Sequence, residues 1–268
     1  MSTAIALLQF GAAGFFAGLT AGLFGVGGGL VLVPVLIALL PGRVPAEYLM
    51  QCVVATSLAA IVFSSASSAY GHWKRNAVDT VQWRRLLTAV SVGSTCGGLA
   101  ASFLPHQGLL IYVAALQSAL CVYLVRKTFC ATRGVSGSLP PPPRAAIGAI
   151  STLCVGAGIS IGTLAVPYLR RHGVAPHVAI GTASALGVPV AMVGTAVLAI
   201  SGCLQTTAIP WSLGFIYLPA LVGLTPGVIA GAQVGALAAH RCAPRVLMGL
   251  FCLFLATLSL RSIAVVFS

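Results

Sequence analysis

The sequence feature best suited to chemistry is a glycine run near the N-terminus, Gly25-Val-Gly-Gly-Gly29, within a stretch that has no charged residue. Glycine costs about 1 kcal/mol relative to alanine inside a helix, so four glycines in five positions predict a helix break. A new helix beginning near Leu30 would offer free N–H groups and a partial positive charge there. Such helix ends bind anions. The candidate anion-binding positions are Gly25, Gly27, Gly28 and Gly29.

A weaker copy of this pattern lies in the second half of the chain. The segment Gly25-Val-Gly-Gly-Gly-Leu-Val-Leu-Val-Pro34 matches Gly158-Ile-Ser-Ile-Gly-Thr-Leu-Ala-Val-Pro167, with two glycines and Val-Pro at the same spacing. Two further matches follow in the same order: Val54-Ala-Thr-Ser57 with Ile180-Gly-Thr-Ala-Ser184, and Gly93-x-x-x-Gly97-x-Leu-Ala-Ala101 with Gly231-x-x-x-Gly235-x-Leu-Ala-Ala239. Three matches in one order indicate an internal duplication.

Hydroxyl side chains accompany both breaks. In the second copy, Gly158 and Gly162 flank Ser160, and Thr163 follows, so hydroxyl donors stand at the equivalent break. On the segments that follow the breaks, the duplication pairs Thr56 and Ser57 with Thr182 and Ser184. We expect these hydroxyls to line a common site. The alternative interpretation is that each one bonds within its own helix or packs against a neighbouring helix. That alternative also applies to Gly14, Gly18 and Gly22, whose spacing is typical of close helix contacts.

Composition limits the class of protein. Of 268 residues, 14 are Lys or Arg and 2 are Asp or Glu, so 6% are charged and 59% are apolar. A soluble domain carries about 25% charged residues. The composition therefore excludes a soluble enzyme, a disordered chain and a nucleic-acid-binding domain, and it indicates an all-α polytopic membrane protein. The charge-free windows predict six full spans and two glycine-interrupted segments.

The distribution of charge predicts an arrangement of these segments. The Gly/Ser/Pro-rich residues 128–144 form a cytoplasmic linker between a first repeat, 1–127, and a second repeat, 145–268. If each glycine-broken segment re-enters as a hairpin, all the main basic clusters lie inside and the uncharged connections 105–108 and 201–210 lie outside, as the positive-inside rule requires. Each repeat then has three transmembrane helices, and the repeats are inverted. Eight full spans in parallel repeats remain the alternative.

Residue types that are missing from the spans are also informative. The only acids, Glu47 and Asp79, fall in loops, and no Lys or Arg lies in mid-span. Proton relays, intramembrane proteases and divalent-metal permeases use ionisable residues inside spans. We therefore expect no catalytic residues, no metal and no cofactor. The expected partners are a small anionic substrate and membrane lipid, with no nucleic acid, and a homo-oligomer remains open.

At these motifs the sequence resembles the sulfite exporter TauE/SafE family, over nearly the whole chain. The resemblance rests on the Gly25–Pro34 segment, the degenerate copy ending at Pro167, and Thr56, Ser57 and Thr182. It implies an integral protein of the bacterial inner membrane that transports sulfite or a related sulfur-containing anion, with these glycines and prolines as signature positions. Our hypothesis is a secondary transporter, in the exporting direction. An anion channel and a non-transporting scaffold or assembly factor are the alternatives.

Overall fold

The computed structural model describes residues 3–24, 27–129, 143–205 and 209–238. The helices of these residues are α1 (Thr3–Phe24), α2 (Gly29–Leu39), α3 (Leu49–Trp73), α4 (Thr80–Phe103), α5 (His106–Phe129), α6 (Arg144–Gly156), α7 (Gly162–Arg171), α8 (Pro176–Gln205) and α9 (Leu218–Ala238). Two short antiparallel strands, β1 (Ser212–Leu213) and β2 (Ile216–Tyr217), precede α9. Gly25, most of the linker and the predicted span within 246–260 lie outside the described residues.

The helices divide by length into spanning and short ones. In the described part of the chain, five helical stretches are long and apolar enough to cross a membrane, and they lie in α3, α4, α5, α8 and α9. By contrast α2, α6 and α7 have 11, 13 and 10 residues, whereas a span needs about 20. The prediction of an all-α polytopic membrane protein is confirmed. These three short helices adjoin the two predicted breaks, as does α1, which has 22 residues.

Helices α1 and α9 approach each other closely along a row of glycines. A Cβ atom added to Gly14 would meet the backbone of Leu224, and one added to Gly18 would meet the backbone of Val228. Both contacts advance along the two helices in the same direction, so α1 and α9 are parallel. The close helix contact expected for these glycines is confirmed, and it is the kind of packing that lipid-embedded helices use.

The same arrangement recurs between α4 and α6. A Cβ on Gly93 would meet the backbone of Gly148, and one on Gly97 would meet that of Thr152. These two helices are also parallel. The first helix of each half therefore packs against a late helix of the other half, and the matched Gly-x-x-x-Gly motifs of the sequence supply both contacts.

Helices α3 and α8, which follow the two breaks, pack against each other in opposite directions. Ser68 lies beside Ser184, and Gly194 lies beside Leu58. The residue numbers rise along α3 where they fall along α8, so the two helices are antiparallel. If α3 and α8 are equivalent, as the predicted duplication implies, this direction favours inverted repeats. The inverted relation itself stays a prediction.

At the first break the chain folds back on itself. A Cβ on Gly28 would meet the backbone of Ala17. After α1 ends at Phe24, the chain has therefore turned back alongside α1, towards its N-terminus. Next to it, Gly29 lies beside Ile61, halfway along α3. Since residues 40–48 connect α2 to the start of α3, α2 runs antiparallel to the first half of α3. Helix α1 and α2 thus form a hairpin.

The second break also forms a hairpin, and it brings basic residues to one end. Ser160 lies beside Gly187 of α8. Residues 172–175 connect α7 to α8, so α7 must run antiparallel to the beginning of α8. Arg144 at the start of α6 and Arg171 at the end of α7 therefore lie at the same end of the bundle, and both are exposed. These contacts favour the hairpin arrangement over eight full spans.

We expect a cysteine in place of Arg171 to react with a membrane-impermeant maleimide from the cytoplasmic side, and one in place of Gln205 from the opposite side. Both positions are exposed. Arg171 lies just before the start of α8, and Gln205 is the last residue of α8. Labelling in intact and inverted vesicles, on a background with the native cysteines replaced, measures this. Reaction of the cysteine at position 171 from the external side would contradict the hairpin arrangement.

The Gly18→Ala variant should unfold at a lower temperature than the wild type, because its methyl group must displace the backbone of α9. Overpacking of this kind typically destabilises by about 1–3 kcal/mol. Gly11→Ala is the matched control on the same helix, since its Cβ would lie 3.8 Å from its nearest neighbour, the Gly223 carbonyl oxygen. Equal thermal stability of the two variants in detergent would argue against the close α1–α9 contact.

Candidate functional site

The two helix breaks touch each other in the centre of the bundle. A Cβ on Gly27 would occupy the space of the Ser160 side chain. One on Gly29 would lie 2.7 Å from the Cα of Ile159 and 2.9 Å from the carbonyl oxygen of Gly158. All five residues are buried. Only glycine leaves room for this contact, so the glycines of the first break are needed to bring the two breaks together.

The first break has the backbone geometry that the glycine run predicts. Gly27 and Gly28 have φ angles of 70° and 74°, in the left-handed region that favours glycine. The carbonyl of Gly28 accepts hydrogen bonds from the N–H groups of Val31 and Leu32, which opens α2. The N–H groups of Gly29 and Leu30 come before these bonds and have no partner within α2.

The second break is built differently. Gly158, with a φ of 68°, closes α6, and the N–H groups of Gly158 and Ile159 donate to the carbonyls of Val155 and Cys154. These two bonds form a Schellman motif, the usual end of a helix at a left-handed glycine. The second copy thus has its left-handed residue at the end of the helix before the break. The first copy has two such residues directly before α2.

Ser160 and Thr163 place hydroxyl groups at the N-terminus of α7. The Ser160 hydroxyl accepts a hydrogen bond from the N–H of Gly162 at 3.3 Å, which leaves its own hydrogen available to donate. The hydroxyl of Thr163 is buried, with 2% of the residue exposed, and it has no partner among the described residues. A buried hydroxyl without a partner destabilises the empty protein. A hydroxyl that binds a ligand is expected to lack a partner within the protein itself.

Helix α3 supplies hydrogen bonds to both breaks. Ser57 donates to the carbonyl of Gly158 at 2.8 Å, and Ser64 donates to the carbonyl of Gly27 at 3.0 Å. These carbonyls lie outside regular helix, so they need side-chain donors inside a membrane. The predicted site residue Ser57 is therefore at the junction, but its hydrogen is committed to the backbone of the second break.

Sequence reasoning missed Ser64 and two further serines of the same helix. Ser65 is buried and its hydroxyl has no partner among the described residues. A Cβ on Gly187 would lie 2.7 Å from the Ser65 oxygen and 3.6 Å from the Ser160 oxygen, so both hydroxyls face that glycine. Ser68 donates to Ser184, a predicted site residue, at 3.2 Å. The signal was available in the polar run Ser64-Ser-Ala-Ser-Ser68, which continues from Ser57 on one helix face.

The two predicted threonines lie further from the breaks. The Thr56 hydroxyl accepts the N–H of Tyr217, and the Thr182 hydroxyl accepts the N–H of Asp79, both at 3.0 Å. Tyr217 directly precedes α9, and Asp79 directly precedes α4. Equivalent threonines of the two copies therefore hold equivalent connections, at opposite ends of the bundle. Each hydroxyl keeps its hydrogen available to donate.

A glutamine of α5 completes the surroundings of the first break. Pro34 has no N–H, so the carbonyl of Leu30 lacks its helical partner. The side-chain amide of Gln117 donates to that carbonyl at 3.3 Å. Gln117 is buried, and its own amide oxygen has no partner in the described part of the chain. The signature proline thus creates a second polar position beside the junction.

The junction has no ionisable side chain. Its residues come from sequence windows without Asp, Glu, Lys or Arg. Within the described residues, no group of three His, Cys, Asp or Glu could hold a metal ion. The site therefore offers hydroxyl hydrogens, backbone N–H groups and the positive ends of two helices. Those groups stabilise negative charge.

Together, the fold and the site define an integral membrane protein whose centre is a pair of broken helices. Discontinuous helices that meet inside the membrane, with their N-termini turned inwards, are the recurring architecture of secondary transporters. The described helices share this architecture.

Comparison with known proteins identifies the family. The model of the sulfite exporter TauE/SafE family matches residues 10–262, so the chain belongs to that family. A protein of Haemophilus influenzae named "Probable membrane transporter protein" is 33% identical over 247 residues, which cover 90% of this chain and 92% of the relative. No solved structure matches the chain. The protein is accordingly a membrane transporter of the TauE/SafE type, in the bacterial inner membrane.

The contact between the breaks predicts a compensating pair of substitutions. Gly27→Ala should lower the melting temperature strongly, since its methyl group overlaps Ser160 and its left-handed backbone adds about 1–2 kcal/mol of strain. Ser160→Gly removes the overlap but not the strain, so the double variant should regain part of the loss. Thermal unfolding of the two single variants and the double variant in detergent measures this coupling. Additive losses would contradict the contact.

Proposed function

We propose that this protein is a secondary transporter that exports a small anion, sulfite or a related organosulfonate. The anion binds between the two helix breaks near the bilayer midplane. The observation that carries the proposal is that two buried hydroxyls without partners, Ser65 and Thr163, lie at or beside the breaks. Both can donate a hydrogen bond to an oxyanion, as can the N–H groups of Gly29 and Leu30 at the start of α2.

The chemistry of the donors fits an anion that must be released again. A buried Lys or Arg would hold a doubly charged anion tightly, whereas hydroxyls and helix ends hold it more weakly. Transport requires a site that is favourable enough to enter and weak enough to leave. The basic residues at the proposed cytoplasmic end would raise the local anion concentration at the entrance.

We assign the predicted residues to different tasks within this site. The glycines bring the breaks together and expose their N–H groups. Ser160 and Thr163, with the added Ser65, contact the anion, while Ser57 fixes the shape of the second break. Thr56 and Thr182 hold the connections at the two ends. The full proposed set is Gly25, Gly27, Gly28, Gly29, Thr56, Ser57, Ser65, Gly158, Ser160, Gly162, Thr163, Thr182 and Ser184.

Alternating access follows from the arrangement of the two halves. Thr56 and Thr182 hold connections at opposite ends of the bundle, with the breaks between them. We propose that releasing one connection opens the site to one side while the other stays in place. The antiparallel pair α3 and α8 would provide the surface on which the two repeats move.

The identity of the anion is proposed from the family. The family is described as sulfite exporters, and the relative from Haemophilus influenzae is described as a transporter without a stated substrate. Sulfite and organosulfonates share an oxygen-rich anionic head that hydroxyl and N–H donors can surround. A panel of such anions as competitors ranks them as substrates.

Counterflow of labelled sulfite in proteoliposomes tests the proposal. We expect saturable uptake with wild type, and a half-saturation constant about 5- to 10-fold higher in Ser65→Ala and in Thr163→Val, if each variant loses a hydrogen bond of about 1–1.5 kcal/mol. Ser118→Ala is the matched control, because its hydroxyl bonds only to the Ala114 carbonyl within α5. Unchanged constants in both site variants would overturn the proposed site.

The same experiment separates a carrier from a channel. A carrier exchanges internal and external anions, so an outward gradient of unlabelled sulfite accelerates uptake of the label. A channel conducts without such exchange, and its flux follows the electrochemical gradient alone. Folded protein that moves none of the anions would favour the non-transporting class instead.

A further inference from the structure

A groove with a volume of about 440 Å³ runs between α4 and α6, away from the junction of the breaks. Its floor is formed where glycines let the two helices touch. Along its walls lie Thr88, Val92, Cys96 and Thr152, and Arg144 lies at one end. Val92 is 65% exposed and Cys96 is exposed, so the groove opens on the outer surface of the bundle. In a membrane-spanning bundle, that surface faces lipid.

The end of the groove is positively charged. Arg144 precedes Gly148 by one helical turn, just as Arg85 of α4 precedes Ala89 by one turn. Because α4 and α6 are parallel and Ala89 contacts Gly148, the backbones of the two arginines lie at the same height along the bundle. This level is the end of the bundle that carries Arg171, the end assigned to the cytoplasm.

No acidic side chain is available to pair with these arginines. The chain contains two acids. The carboxylate of Asp79 accepts the N–H groups of Val81 and Gln82 and so caps α4. Glu47 lies in the turn before α3, at the opposite end of the bundle. The guanidinium of Arg144 is therefore available to an anion from outside the chain, at the depth where an apolar groove begins.

We propose that the groove between α4 and α6 binds an anionic phospholipid of the cytoplasmic leaflet. One acyl chain lies along the apolar walls, and the phosphate pairs with Arg144. Basic pockets between transmembrane helices on the cytoplasmic side are known to bind anionic headgroups. The groove is separate from the proposed transport site. The bound lipid would stabilise the packing of α4 on α6.

Cys96 is a reporter inside the groove, and Cys203 is an exposed cysteine at the far end of α8. The protein is placed in nanodiscs of phosphatidylcholine alone, or of phosphatidylcholine mixed with phosphatidylglycerol, and treated with neutral N-ethylmaleimide. Peptide mass spectrometry then gives the alkylation rate of each cysteine. We expect the anionic lipid to slow the reaction of Cys96 and to leave that of Cys203 unchanged.

Arg144→Gln should raise the phosphatidylglycerol content needed for half-protection of Cys96 about fivefold, as expected for one arginine near an anionic headgroup. Arg171→Gln, at the same end but outside the groove, is the matched control and should keep the wild-type protection. Equal Cys96 rates in the two lipid mixtures would overturn the proposal. So would protection that persists in Arg144→Gln, or protection that rises with protein density in phosphatidylcholine alone, which would indicate a second copy of the chain.

Discussion

Every backbone N–H and C=O group inside the hydrocarbon layer needs a partner within the protein, and a helix that breaks there exposes several at once. This chain breaks two helices and places the breaks against each other. Serines of α3 then satisfy carbonyls from both breaks, through Ser57 and Ser64. Helix α3 is therefore the element on which the centre depends. The hydrogen-bonding groups that stay unsatisfied are the ones we assign to the substrate.

The same constraint accounts for the prolines in the helices. Pro34 leaves the Leu30 carbonyl open, and Gln117 fills it. In α8, a proline at position 189 leaves the carbonyl of Ala185 open, and the indole N–H of Trp83 donates to it at 3.1 Å. At these two prolines the open carbonyl therefore accepts a hydrogen bond from a polar side chain on another helix. Pro167 of α7 and Pro226 of α9 are the other prolines inside the described helices.

Features that depend on a few adjacent residues could be predicted from the sequence. Glycine propensity is local, so the first break and the start of α2 at Gly29 follow from the run itself. The glycine contacts of α1 could also be anticipated, because close packing requires the absence of a side chain. The charge distribution favoured the hairpin arrangement in the same way, since each loop contributes independently.

What the sequence did not provide depends on contacts between residues far apart in the chain. Ser65 looks like any helix serine until Ser160 and Gly187 are placed beside it. The predicted duplication pairs Thr56 with Thr182, yet nothing local shows that each accepts a backbone N–H more than 100 positions away. The strands β1 and β2 follow the uncharged connection 201–210 and are only two residues each, too short for a periodic pattern.

The central claim is that the anion binds where the two breaks meet. Selenite has the shape and charge of sulfite and contains an anomalously scattering atom, so diffraction at the selenium edge from crystals grown with selenite locates it directly. We predict an anomalous peak between Gly29 and Thr163, within hydrogen-bonding distance of the Ser65 or Ser160 hydroxyl. A peak confined to the basic end of the bundle, with none beside the breaks, would contradict this account.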